Sequence, residues 1–174
     1  MPSTHALTHA DSLFINFRDF AFPDGRGHGY RWVDMKRFHL PPDTPDDRHL
    51  LIALLAHPEF RDTYDGAGLW LEPRHGQWWA DRITPDTYLP IDEVTATVVI
   101  SSWAADGVGV PTDLDERLQE AVYAPIRRAT SRYVLGDLPE EAHHDYGPIH
   151  GEFHELVLVD RPEGVLTLLV AADD

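Results

Sequence analysis

The sequence predicts an α+β fold: a mostly antiparallel sheet of about seven strands with two main helices, in the order β-β-α-β-β-β-α-β-β. Three observations carry that expectation. Segments with strand-like alternation come in pairs joined by turn-rich stretches, as antiparallel hairpins require. Two longer segments place apolar residues at helical spacing. The length of 174 residues and hydrophobic content of 43% suit one globular domain, 1–174. A chain of this size buries about 70% of the surface its unfolded form would expose.

Residues 13–22 (LFINFRDFAF) alternate, with Phe14, Asn16, Arg18 and Phe20 on one face and Leu13, Ile15, Phe17 and Asp19 on the other. Residues 23–29 (PDGRGHG) supply turn chemistry and 30–38 (YRWVDMKRF) the return strand, giving a first hairpin. Pro41, Pro42 and Asp43 end it. Thr44 then fits an N-cap with Pro45 at the first helical position, and the helix should run to about His57, stopping before Pro58. Its stretch Leu50 to Ala56 is apolar on nearly every side and should pack deeply. Residues 68–83 (GLWLEPRHGQWWADRI) suit a second hairpin around Arg74-His75-Gly76. Residues 93–103 (EVTATVVISSW) are rich in β-branched side chains and predict a strand. A glycine-bearing connection, Asp106 to Val110, follows.

The second helix is signalled by Leu114, Leu118, Ala121, Val122, Pro125, Ile126, Ala129 and Tyr133 on one stripe. Thr112 can cap it, and Pro125 should kink or divide it. Residues 135–148 are irregular. Glu152 to Asp160 and Val165 to Ala171 close the chain as a hairpin around Arg161-Pro162-Glu163-Gly164. After its first strand this order reads as two successive βαββ units. It resembles, in element order, the duplicated layout of the gyrase-inhibitor-like drug-binding proteins, in which two such units enclose an apolar, acid-bearing cleft. The resemblance lies in element order and transfers no site residue.

Thirty acidic residues stand against fourteen basic ones, a formal charge of −16, and Lys36 is the one lysine. That sign tells against direct nucleic-acid binding, which needs cations for phosphate. It favours a basic protein partner, steered by long-range attraction. Residues 1–40 hold four acids and five bases, while 41–174 hold 26 acids and nine bases. A GC-rich coding sequence or a high-salt interior would write much acid, but not that unevenness, which reads as a polarised surface. With no Cys there are no disulfides or thiolate ligands. Residues 1–12 lack a signal-peptide pattern and the longest apolar run is too short for a bilayer, so the expectation is a cytoplasmic protein without membrane contact.

Two clusters could carry chemistry. In the first, a strand beginning near His150 would set His150, Glu152 and His154 on one face, a ligand set for a divalent cation such as Zn, Mn or Ni. His143, His144 or Asp145 could fold over it. This H-x-E-x-H strand is similar to half of a cupin metal pattern, whose second half the chain lacks. In the second, Trp70, Trp78 and Trp79 lie in one hairpin with Glu72 and Asp81, and indole beside carboxylate suits planar or cationic ligands. Core packing is the competing use of those indoles. The glycines of residues 25–29 precede a strand rather than a helix, so they do not make a phosphate cradle. No G-x-S-x-G or Cys nucleophile is present. The expected function is therefore an acidic binding protein for a basic partner, of immunity, inhibitor or nucleic-acid-mimic type. Small-molecule sequestration in a Trp/acid cleft stands second, and a metal-dependent enzyme using His150, Glu152 and His154 third.

Overall fold

A computed structural model of the chain describes residues 6–23, 30–43, 46–65, 73–145, 147–148 and 150–174. In chain order its elements are β1 (Thr8–Asn16), β2 (Arg31–His39), α1 (Asp47–Ala56), β3 (Arg74–His75), β4 (Trp78–Trp79), β5 (Tyr88–Pro90), α2 (Glu93–Ala105), α3 (Thr112–Leu118), α4 (Ala124–Arg128), β6 (Ser131–Leu135), β7 (Phe153–Asp160) and β8 (Val165–Asp173). Six strands form one antiparallel sheet in the order β1-β2-β8-β7-β6-β5, and β3-β4 stands apart as a small hairpin. The α+β class and the antiparallel sheet are as the sequence predicts.

Side chains alternate across the central strands and are buried on both faces. Val33, Met35, Leu156, Leu158 and Leu169 pack against Ala96, Ile100, Leu114, Leu118 and Ile126 of the α2–α4 layer. Phe38, Val157, Leu166 and Leu168 pack against Leu50, Leu54, Phe60 and Trp78 on the opposite side. The sheet is thus the middle of three layers. β7 and β8 read as near-continuous apolar runs because neither face meets water.

The last hairpin forms as the sequence indicates, and the first pairs two strands as expected, but β1 covers Thr8–Asn16 rather than 13–22 because Phe17–Asp19 turn into a 3-10 helix capped by the Asn16 side chain. α1 begins at Asp47 with Asp46 as its cap, its carboxylate accepting from the His49 amide at 2.9 Å, and it stops at His57 ahead of Pro58. The expected cap Thr44 and first helical residue Pro45 lie outside the described residues. The second helical segment does divide near Pro125: a π turn over Gln119–Tyr123 separates α3 from α4. Pro125 has no N–H to give, and widening the preceding turn accommodates its ring. Tyr133, expected on that helix, belongs instead to β6.

Residues 93–103 overturn a strand expectation. They lie within the helix α2, capped by Asp92, whose carboxylate accepts from the Thr95 amide at 2.7 Å. Ala96, Ile100, Trp103 and Ala104 are buried at helical spacing while Val94 and Val98 stay exposed. Tertiary burial of that stripe outweighs β-branched propensity, which spans only about 1 kcal/mol. With α2–α4 taken as one helical layer, the chain still runs β-β-α-β-β-β-α-β-β-β, so the expected order is kept with one further strand; but β5 rather than residues 93–103 opens its second half, and β3-β4 stands outside the six-stranded sheet.

Gly76 opens the two-residue β3-β4 turn at φ +53°, and a Cβ there would meet the Phe153 ring at 2.9 Å. The turn is thereby pressed against β7, which brings His75 beside Glu155.

Candidate functional site

On the sheet face opposite α2–α4, β2 carries Trp32, Asp34 and Lys36 at alternate positions, and polar residues therefore reach into an apolar layer. Lys36 is 4% exposed. Its ammonium donates to Asp34 at 3.0 Å, to Asp62 at 2.8 Å and to the Tyr64 hydroxyl at 3.2 Å, and it sits 4.4 Å from the Tyr64 ring centroid. A lysine is found that deep only when its charge is matched. Here two carboxylates surround it.

The segment after α1 supplies the rest. Asp62 accepts from the Tyr64 amide at 2.8 Å, an Asx turn that holds Tyr64 at φ +59°. A bulky side chain in the left-handed region costs roughly 1–2 kcal/mol. The outcome is a Tyr64 ring stacked on Trp32 at 5.6 Å and 22°. Phe14 of β1 also stacks on Trp32, at 5.8 Å and 27°. These rings wall a cavity of about 370 Å³. Asp34, Asp62, Asp65 and Asp174 also line it, as does one cation, Arg18. Asp174 accepts from the Trp32 indole N–H at 3.1 Å, fixing that ring.

Charge in this cavity is unbalanced. Lys36 answers the carboxylates of Asp34 and Asp62, leaving the wall acidic overall. Burial raises the Asp34 carboxyl above the ordinary aspartate range, with the nearby Lys36 opposing and Asp62 reinforcing the rise. Tyr64 is held well above a normal phenol by its burial, then by the charges of Asp34, Asp62 and Glu155. An acidic cavity with aromatic walls suits a guanidinium or ammonium group, through ion pairing and cation–π attraction.

Behind the cavity lies a second polar group. His75 and Glu155 are both buried, with Nε2 and Oε2 2.5 Å apart. The Tyr88 hydroxyl donates to the other Glu155 oxygen. His75 Nδ1 lies 2.5 Å from the Phe60 carbonyl, which can only accept, so that nitrogen carries a proton. The Tyr64 ring stands edge-on to His75 at 5.6 Å. This network braces the wall of the cavity without opening into it.

The residues expected to bind do not gather here. Trp70 and Glu72 lie outside the described residues. Trp78 is core, edge-on to Phe153 at 5.0 Å, and Trp79 packs under the Arg74 guanidinium at 5.2 Å. Asp81 is exposed in the turn after β4. Of the expected metal set, Glu152 and His154 meet at 3.1 Å. His150 is parted from them because β7 starts only at Phe153. It is buried edge-on to Trp32 at 5.6 Å, with Nε2 3.4 Å from the Thr63 carbonyl, whereas His154 turns toward Trp103 under the α2 layer. His144 is buried against the Gly76 carbonyl at 2.9 Å and His143 lies over Trp78. Among the described residues no three His, Cys, Asp or Glu form a metal-binding group. Among them, too, no helix is long and apolar enough to cross a membrane.

Sequence reasoning passed over the cavity because its parts come from β1, β2, residues 62–65 and Asp174. The available signal was Lys36, the one lysine, at an inward strand position two residues from Asp34. The near-neutral N-terminal hairpin likewise directs its charge inward or sideways: Lys36 is buried, Arg31 pairs with Asp106 at 2.8 Å, and Arg37 pairs with Asp11 at 2.5 Å. Comparison with protein families, with characterised proteins and with solved structures returns no match.

Proposed function

We propose that the protein is a binding protein that engages a basic protein partner by receiving a cationic side chain in the Trp32–Tyr64 cavity. The single observation that carries this reading is that cavity: about 370 Å³, walled by stacked rings and lined by four aspartates. Its size suits an arginine or lysine side chain, being at the lower end of ordinary ligand pockets. The −16 charge of the chain would speed encounter with a cationic partner and make binding salt-dependent. Neutralising a cationic enzyme or toxin, as an immunity protein, inhibitor or nucleic-acid mimic does, is the role such a surface serves. The stacked rings favour a second source of the same chemistry, a free planar cation.

Titration with an arginine-rich peptide, with free arginine amide and with a glutamate-rich peptide at two salt concentrations tests the reading. Binding of the arginine-rich peptide should weaken with salt and fall about tenfold or more in Asp62→Asn/Asp174→Asn, the loss expected when charge-assisted contacts go. If arginine amide binds as tightly as the peptide, the ligand is a small cation. Equal binding by wild type and variant, or preference for the acidic peptide, would overturn the reading.

A further inference from the structure

The two edges of the sheet are built differently. β5, at one edge, is three residues long and ends in Pro90. β1, at the other, runs nine residues, and among the described residues no strand pairs with its outer side. A bulge between His9 and Asp11 breaks its register with β2, but pairing from Asp11 to Asn16 is continuous. Six residues offer a ladder about 20 Å long. Proteins usually blunt such an edge with Pro, Lys or a bulge. The stretch Asp11–Asn16 contains no Pro or Lys, and the bulge lies before it. The Asp11 carboxylate is turned onto Arg37 of the neighbouring strand.

Concavities flank this edge on both faces of the sheet. Phe14 and Asn16 reach the aspartate cavity. Leu13, pointing the other way, reaches a groove of about 240 Å³ shared with Met35, Ala121 and Pro125. A strand added to β1 would direct alternate side chains to the two faces. One set would then meet aspartates and stacked rings. The other would meet Leu13, Met35, Ala121 and Pro125 among Arg37, Arg117, Arg128 and Glu120, a mixed lining of net positive charge that takes uncharged rather than basic side chains.

We propose that β1 is the docking edge for an extended segment of the basic partner. The segment pairs with Asp11–Asn16, sets arginine or lysine into the aspartate cavity, and lays apolar side chains over Leu13 and Met35. The charge of the occupant rests on the function proposed above; the backbone pairing goes beyond it.

The probe is acetyl-Arg-Val-Arg-Val-Arg-Val-amide with two relatives of identical charge, one N-methylated at every arginine and one at every valine. In a strand, all arginine amides face one edge and all valine amides the other, so only one relative keeps its donors toward β1. The expected result is binding of the parent, slowed exchange of the outward-facing amides among residues 11–16, and about tenfold or greater loss for one relative only, whose three N-methyl groups remove the donors toward β1. Equal affinity of all three peptides, or protection that bypasses β1, overturns the docking edge. If arginine amide fills the cavity while the peptide leaves β1 unprotected, the strand inference falls and the cation reading stands. If neither binds, both fall.

Discussion

Glu155 and His75 meet at 2.5 Å with both side chains shut away from water. Every polar atom of the pair has a partner: Tyr88 donates to the free carboxylate oxygen, and the Phe60 carbonyl takes the Nδ1 proton. Burial, then the charge of Glu155, holds the Tyr88 phenol well above its ordinary range, so it stays a donor. The network joins β7, β5, β3 and the turn after α1. Glu155→Ala would orphan both neighbours, and a loss of about 3–5 kcal/mol is expected. Urea unfolding at neutral pH checks it. A cost under about 1 kcal/mol would show that the network contributes little to folding.

The hairpins at either end of the chain were legible because alternation and turn residues agree there. So was α1, where Pro58 marks the stop. Glu155 was not legible: it looks like an ordinary polar position in an apolar strand, and its partners His75 and Tyr88 lie 80 and 67 residues away. The aspartate cavity shares that difficulty, since Trp32, Tyr64 and Asp174 become neighbours only through the sheet order. The indoles of Trp78 and Trp79 stood out in the sequence, but the close approach at Gly76 draws Trp78 into the core.

Val98 and Ile100 show why residues 93–103 misled. Two apart, they would share a face of a strand; in α2 they lie on opposite sides, Ile100 fully buried and Val98 52% exposed. Ile100→Ala should cost about 2–5 kcal/mol, while Val98→Ala should fall within about 0.5 kcal/mol of wild type. Similar costs for the two would contradict the helix. Thermal and urea unfolding of the pair read this directly.

Asp47 ties the start of α1 to β6 and to the turn between β7 and β8. It accepts from the Tyr133 hydroxyl at 2.7 Å and from Arg161 at 2.5 Å. Desolvation pushes its carboxyl up, but hydrogen bonding with Ser131, Tyr133 and Arg161 outweighs it and the net position is below the ordinary value. The same contact, after burial, raises Tyr133 to about 12. A carboxyl whose folded value lies below its unfolded one stabilises above the unfolded value and loses that contribution as pH falls through the folded one. Asp47→Asn should therefore cost about 1 kcal/mol at neutral pH, allowing for solvent screening. The deficit should hold down to about pH 4 and close below it. A deficit independent of pH would mean that packing, not charge, is lost.

Asp34 shifts the opposite way, and this bears on binding. Burial raises its carboxyl, so it takes up a proton at a pH where an exposed aspartate is still ionised. Each proton gained there removes a negative charge from the cavity wall. Cation affinity should accordingly fall as the pH drops, beginning above the ordinary aspartate range near 3.8. By linkage, a bound cation should draw the Asp34 carboxyl back down. Asp34→Asn should bind more weakly at neutral pH, about threefold to tenfold, and lose the early part of the pH dependence. Trp32 lies in the cavity wall, so its fluorescence reports occupancy, and Trp32→Phe serves as the control for that signal. Arginine amide titrated at a series of pH values into wild type and Asp34→Asn gives the two curves. Parallel curves would remove Asp34 from the recognition of the cation.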